Sequence, residues 1–259
     1  HFPEVGLMFS TPRRLLMMAA AVGLVAVIAV VTLWRFGGTE PAAVDADRAV
    51  SEDSPARELA AEDPDGESAP DPPVEPDQLT GTWIVDTSRD FDLAAGRGTF
   101  VGYRVDEELA GVGATTAVGR TPEVAGSVTL DRTRLTHVEI EADLTALVSD
   151  DRRRDGRVRD MLGPGATAVF SLDDTIDLGE VPRVGEVIEL QVAGNLTIGD
   201  VTRTVSVAIE AALTESGMVV AGSTRVLLAD FGVSVPSAAI VLSASDEAVI
   251  EWQLYLRRE

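Results

Sequence analysis

From residue 79 to the end of the chain, apolar side chains recur at every second position. Val101, Tyr103 and Val105 alternate with Gly102 and Arg104, and Val138, Ile140, Ala142 and Leu144 alternate with His137, Glu139, Glu141 and Asp143. A period of two sends one row of side chains into a core and the other into water, the mark of a half-buried antiparallel strand. The alternation returns at Ile188, Leu190 and Val192, at Leu196 and Ile198, and at Val205, Val207, Ile209 and Leu213. Residues 220–228 and the row Ile250, Trp252, Leu254 and Leu256 supply the last strands. With 82–85, 124–130 and 167–172, the pattern predicts at least eight strands, separated by turn signals at 96–98, 111–113, 179–185 and 216–217.

Residues 149–162 break this rhythm. Val158, Met161 and Leu162 stand at helical spacing among arginines and aspartates, and Gly163-Pro164 ends the run. One short helix is therefore predicted between strands. So many antiparallel strands must hide their edges, in a sandwich or in a closed barrel. Eight strands can enclose room for one apolar ligand. By parity Tyr103, Ile140, Phe170, Leu190 and Leu196 point inward, toward either a lumen or a packed core. Eight aromatic residues fall in this region, and most are expected to fill the core.

The chain before residue 79 follows a different logic. Residues 15–34 are 20 uncharged, mostly apolar positions. As a helix they would span about 30 Å of hydrocarbon. Arg13 and Arg14 precede the stretch and only Arg35 follows closely, which places residues 1–14 in the cytoplasm and the remainder outside. The alternative, a cleaved signal peptide, would have a shorter apolar region, about 7–15 residues, with a small-residue cleavage site close behind it. Neither feature is found here. The expectation is an uncleaved single-pass anchor in the cell membrane, carrying an extracytoplasmic domain. Residues 37–78 hold 13 acids, two arginines and seven prolines in 42 positions. Such a tract buries too little apolar area to offset its ordering entropy and reads as a disordered linker. As a flexible coil it would reach about 36 Å on average.

Charge and composition narrow the function. The net charge of −22 comes from 43 acidic and 21 basic residues, and the basic residues are all arginine. A broad basic face for nucleic acid is excluded. With no cysteine, there is no disulfide framework, thiolate cage or cysteine nucleophile. His137 shares a strand row with Glu139, Glu141 and Asp143, residue types that ligate metals. A single flat row does not converge on one ion, so this reads as a solvated face, and no metal or cofactor is expected. Nucleophile–base catalysis lacks its usual parts, so a non-enzymatic protein is expected. Gly111-Val112-Gly113 reads as a hairpin turn rather than a dinucleotide fingerprint.

Arg152, Arg153, Arg154, Arg157 and Arg159 are five arginines within eight residues. Two readings stay open. Arg154 and Arg157 could clamp a phosphate or quinone head group through their forked donors. Alternatively, the arginines pair locally with Asp150, Asp151, Asp155 and Asp160.

Several segments, in order, carry a family resemblance. They are Gly81-Thr82-Trp83-Ile84-Val85-Asp86, Val101-Gly102-Tyr103-Arg104-Val105 and Arg153-Arg154-Asp155-Gly156-Arg157-Val158. Gly194-Asn195-Leu196-Thr197-Ile198 follows, running into Val201-Thr202-Arg203-Thr204-Val205, and then Ala229-Asp230-Phe231-Gly232-Val233. The domain resembles the YceI-like family. The resemblance implies an all-β, eight-stranded antiparallel lipocalin-like barrel over residues 79–259, with one short inserted helix. It also implies a long-chain ligand, a polyisoprenoid, quinone-like or fatty lipid. The candidate ligand contacts are then Tyr103, Ile140, Phe170, Leu190, Leu196, Arg154 and Arg157. Arg154-Asp155 matches the family's most recurrent polar pair and is expected to fix the helix to the barrel. Arg157 stands where the family usually has histidine, and Gly199-Asp200 replaces its His-Gly step. The competing expectation is an envelope-stress or protein-interaction module whose barrel is filled by side chains.

Overall fold

The alternating runs pair edge to edge into one sheet. The computed structural model of the protein describes residues 40–53, 75–172, 174–179, 181–234 and 241–259. Its long strands are β1 (Gly81–Asp86), β2 (Phe100–Leu109), β3 (Gly113–Thr121), β4 (Val124–Asp131) and β5 (Arg134–Asp143). After the two-residue β6 (Val148–Ser149) come β7 (Thr167–Ser171), the short β8 (Ile176–Asp177), β9 (Val187–Ile198) and β10 (Val201–Leu213). The chain ends with β11 (Met218–Leu227), β12 (Val241–Ala244) and β13 (Glu247–Arg258). Among the described residues three α-helices accompany them: α1 (Ala46–Asp53), the single turn α2 (Pro76–Leu79) and α3 (Arg152–Leu162).

Eight strands form a closed antiparallel ring in the order β1-β4-β5-β7-β9-β10-β11-β13, with β13 returning to β1. Closure depends on the last strand. One edge of β13 pairs β11 from Glu247 to Leu256. Its other edge is divided, Val249 to Gln253 pairing β2 and Tyr255 to Arg258 pairing β1. The β2–β3 hairpin and β6 extend the wall beyond β1.

The expected architecture is present, with differences of detail. Residues 188–192 and 196–198 belong to one continuous strand, β9, rather than two. Strand β3, with the sequence GATTAVGRT, was hidden from the period-two reading because it has few large apolar side chains to alternate. Helix α3 begins at Arg152, where the Asp151 carboxylate accepts the Arg153 N–H, and it stops at Gly163 with φ of 88°. His137, Glu139 and Glu141 are exposed on the outer face, and no metal-holding cluster occurs among the described residues.

The N-terminal expectations divide. The apolar stretch 15–34 lies outside the described residues, as does 54–74. Residues 40–53, expected to be part of a disordered linker, are instead packed on the barrel. The cause is a local helical period that the acidic average conceals. Ala46, Ala49 and Val50 are buried, and Ala49 and Val50 pack against Ala212, Val219 and Tyr255. The Tyr255 hydroxyl donates to the Ala49 carbonyl at 3.3 Å. Polar contacts complete the seam: Asp53 pairs with Arg89 and accepts from the Ser216 hydroxyl, and the Ala46 N–H donates to Glu210.

This covering segment explains why outward-facing polar residues of β13 are buried. The Glu251 carboxylate accepts from Arg120 Nε at 2.8 Å through one oxygen and from Arg104 Nε at 2.7 Å through the other. Arg120 is fully buried, at 0% exposure. Its remaining donors reach the carbonyls of Leu93 and Ala42, and Arg104 reaches Glu40 and the Pro41 carbonyl. Gln253 donates to the carbonyls of Gly96 and Gly98. The network thus joins β2, β3 and β13 to the overlying loop and the N-terminal segment. Glu251→Gln would leave the buried Arg120 without a counter-charge and Arg104 with only the exposed Glu40. It is expected to cost about 3–5 kcal/mol of unfolding free energy, measured by urea denaturation. A loss below about 1 kcal/mol would show that the network is solvated rather than buried.

Candidate lipid-binding cavity

The inward rows of the barrel strands line a partly enclosed space that opens to solvent. The cavity has a volume of about 280 Å³. Holding one water takes only about 10–15 Å³ of such volume, so the interior is open rather than plugged. The wall is apolar over most of its extent. Leu79, Leu130, Leu135 and Leu256 line one region, and Val158, Met161 and Leu162 of α3 line another, with rows from β5, β7, β9, β10 and β13 between them. Among the described residues its charged lining is Arg154 and Glu107.

Three aromatic residues account for much of the open space. Tyr103 lies opposite Gly119 on β3, and Trp252 lies opposite Gly222 on β11. Phe170 lies against Gly194 on β9. A Cβ on Gly119 would fall 2.5 Å from the Tyr103 ring, one on Gly194 2.5 Å from the Phe170 ring, and one on Gly222 2.6 Å from the Trp252 indole. These distances are far inside van der Waals contact. Each ring occupies the space of a missing side chain and lies along the wall instead of crossing the lumen. The other aromatic residues serve elsewhere. Trp83 is buried, with its indole N–H donating to the Leu79 carbonyl at 3.0 Å, and Phe100 packs with Phe91 and beneath the Arg120 guanidinium.

Helix α3 supplies the polar end. Asp155 is buried and accepts from the Ser149 hydroxyl at 2.6 Å, tying the helix to β6. Arg154 reaches Asp150 at 2.5 Å and stands 3.5 Å from Glu107 of β2. The Arg154-Asp155 pair therefore fixes the insert to the wall at two places. Burial alone would lower the Arg154 pKa, but the attraction of Asp150 and Glu107 outweighs it, and the net shift is upward. Tyr103 lies beside this cluster. Burial, opposed by Arg154 and reinforced by Asp155 and Glu107, raises its hydroxyl to about 12.

Of the residues singled out from sequence, Tyr103, Ile140, Phe170, Leu190, Leu196 and Arg154 line the cavity. Arg157 is half-buried on α3 and is not among the lining residues. The local-pairing reading of the arginine cluster holds for Arg154 with Asp150, while Arg152, Arg153 and Arg159 are exposed. Sequence reasoning missed Glu107 and the three wall glycines. Glu107 extends the Val101, Tyr103, Val105 row by one step, so its parity was available. The glycines carry no signal until strand register sets each beside its ring.

The glycine–ring contacts have a signed consequence. Alanine in place of glycine within a strand ordinarily adds about 0.5–1 kcal/mol of stability. At Gly222 the added methyl meets both the Trp252 indole and, at 2.4 Å, the Ala208 carbonyl oxygen. Gly222→Ala is therefore expected to lose about 1–3 kcal/mol through overpacking, read by chemical denaturation. A stabilised variant would show that the indole does not lie against the strand.

Comparison with known proteins agrees with this geometry. The YceI-like domain family matches residues 95–256. Among solved structures, the chain is similar to a polyisoprenoid binding domain from Saccharophagus degradans implicated in plant cell wall breakdown. The similarity has a TM-score of 0.51 at 14% identity, covering 70% of this chain and 99% of that one. A second similar structure is Burkholderia cenocepacia BcnA, with a TM-score of 0.44 at 20% identity, covering 64% of this chain and 98% of that one. No curated protein matches the chain in sequence. With the family matched over more than half of its length, and with an eight-stranded closed antiparallel ring as its fold, the chain belongs to the YceI-like family.

Proposed function

We propose that the barrel binds one long, largely apolar lipid in its lumen, a polyisoprenoid or a similar amphiphilic chain, and sequesters or carries it without covalent chemistry. The observation that carries this reading is the cavity itself, whose described lining is apolar except for Arg154 and Glu107 at one end. Each methylene buried there gains about 0.8 kcal/mol, so a five-carbon isoprene unit gains roughly 4 kcal/mol before ordering costs. A few units suffice to offset those costs. The Saccharophagus degradans domain, described as polyisoprenoid binding, supports the ligand class by analogy of fold. The open lumen favours this reading over a barrel filled by side chains.

We further propose that residues 15–34 anchor the protein in the cell membrane, with residues 1–14 cytoplasmic and the barrel outside. In that arrangement the lipid source and the barrel share one membrane surface. Glu40 and Pro41 are bonded to Arg104, so the acidic tract meets the barrel from residue 40.

The reading is tested on the full chain purified from its membrane fraction, by mass spectrometry of an organic extract. The expected result is a long prenyl or acyl chain in about one-to-one ratio with protein. An empty protein that also ignores a panel of prenyl and acyl chains would overturn it.

A further inference from the structure

The polar end of the lumen carries information about the ligand's head group, given the lipid-binding reading on which this inference rests. Among the described residues Arg154 is the one cation lining the cavity, and it is already committed. One of its nitrogens is 2.5 Å from the Asp150 carboxylate and another is 3.5 Å from that of Glu107. A third carboxylate, Asp155, is buried on the same helix and held by Ser149. Arg157, the second cation that a phosphate clamp would need, does not line the cavity.

An anionic head placed here would meet one shared arginine and the carboxylates that share it. Taking Arg154 from Glu107, whose side chain is 14% exposed, would leave that carboxylate uncompensated in a poorly solvated site, and the solvated Asp150 competes with any second anion for the same guanidinium. An uncharged head meets no such conflict. A hydroxyl or carbonyl oxygen can accept from the Tyr103 hydroxyl or from Arg154, and a hydroxyl can also donate to Glu107. Tyr103 is a neutral donor at physiological pH, as any tyrosine is, and burial moves its ionisation further off, to about 12.

We propose that the Arg154–Glu107–Tyr103 cluster selects lipids with an uncharged, hydrogen-bonding head group, an alcohol or a carbonyl, and rejects the same chain bearing a phosphate. The selectivity arises from the carboxylates rather than from the arginine. It assigns Glu107 a role in specificity and Asp150 a role in holding Arg154 away from anions.

The test uses geranylgeraniol and geranylgeranyl monophosphate, one chain with two heads, titrated into the full-length protein at neutral pH and followed by tryptophan fluorescence. The alcohol is expected to bind at least about tenfold more tightly. Glu107→Gln and Asp150→Asn should each narrow that gap by strengthening binding of the phosphate while the alcohol still binds. Equal or tighter binding of the phosphate by the native protein would overturn the proposal, as would an unchanged gap in both variants. If neither compound binds, the lipid-binding reading fails and takes this proposal with it. If both bind equally, the lumen is a lipid site without head-group selection, and only the present inference falls.

Discussion

The structure turns on the pairing of the final strand. Residues 247–258 bond β11 along one edge and divide the other between β2 and β1, so a single strand closes the ring and attaches the β2–β3 hairpin to it. Without that closure, β1 and β11 would be open edges and the apolar rows of eight strands would face water. With it, the inward residues of β13 help to line the lumen, and the outward residues Glu251, Gln253 and Tyr255 anchor a second layer of chain. The Glu251 carboxylate and the Gln253 amide nitrogen on that outer row are satisfied by arginines and carbonyls from segments far away in sequence. In this way the closing strand binds the covering segment and the lumen wall into one unit.

The emptiness of the interior is as much a built feature as its closure. Small barrels fill themselves when large side chains from facing strands meet. Here three of the largest inward residues are turned aside by glycines on neighbouring strands, and the space they would cross remains open. The cost is a set of contacts that tolerate no added methyl group. The gain is an apolar channel whose attraction for a hydrocarbon chain scales with the length buried, and whose one charged end is internally compensated.

The degree to which this was legible in the sequence follows from the range of each interaction. Alternation is a local property, so strand parity placed Tyr103, Ile140, Phe170, Leu190 and Leu196 inward correctly. Parity cannot distinguish a lumen from a packed core, because that difference lies in Gly119, Gly194 and Gly222, whose partners are set by register between strands. Strand β3, rich in glycine and threonine, offered no alternation to read. Residues 40–53 were concealed by their acidic average, though Ala46, Ala49 and Val50 mark a helical face once the barrel supplies something for it to cover. The arginine cluster was visible as composition, yet its chemistry depends on Glu107, which lies on a different strand, and on helix rotation, which turns Arg154 inward and leaves Arg157 off the cavity wall.

The central claim is that the lumen holds a hydrocarbon chain by enclosing it, and the length dependence of affinity tests this most directly. Geraniol, farnesol, geranylgeraniol and longer prenyl alcohols, titrated below their aggregation limits, should bind more tightly by about tenfold or more with each added isoprene unit, until the channel is full and the gain ceases. An affinity that does not change with chain length would contradict enclosure and would place any bound lipid outside the barrel.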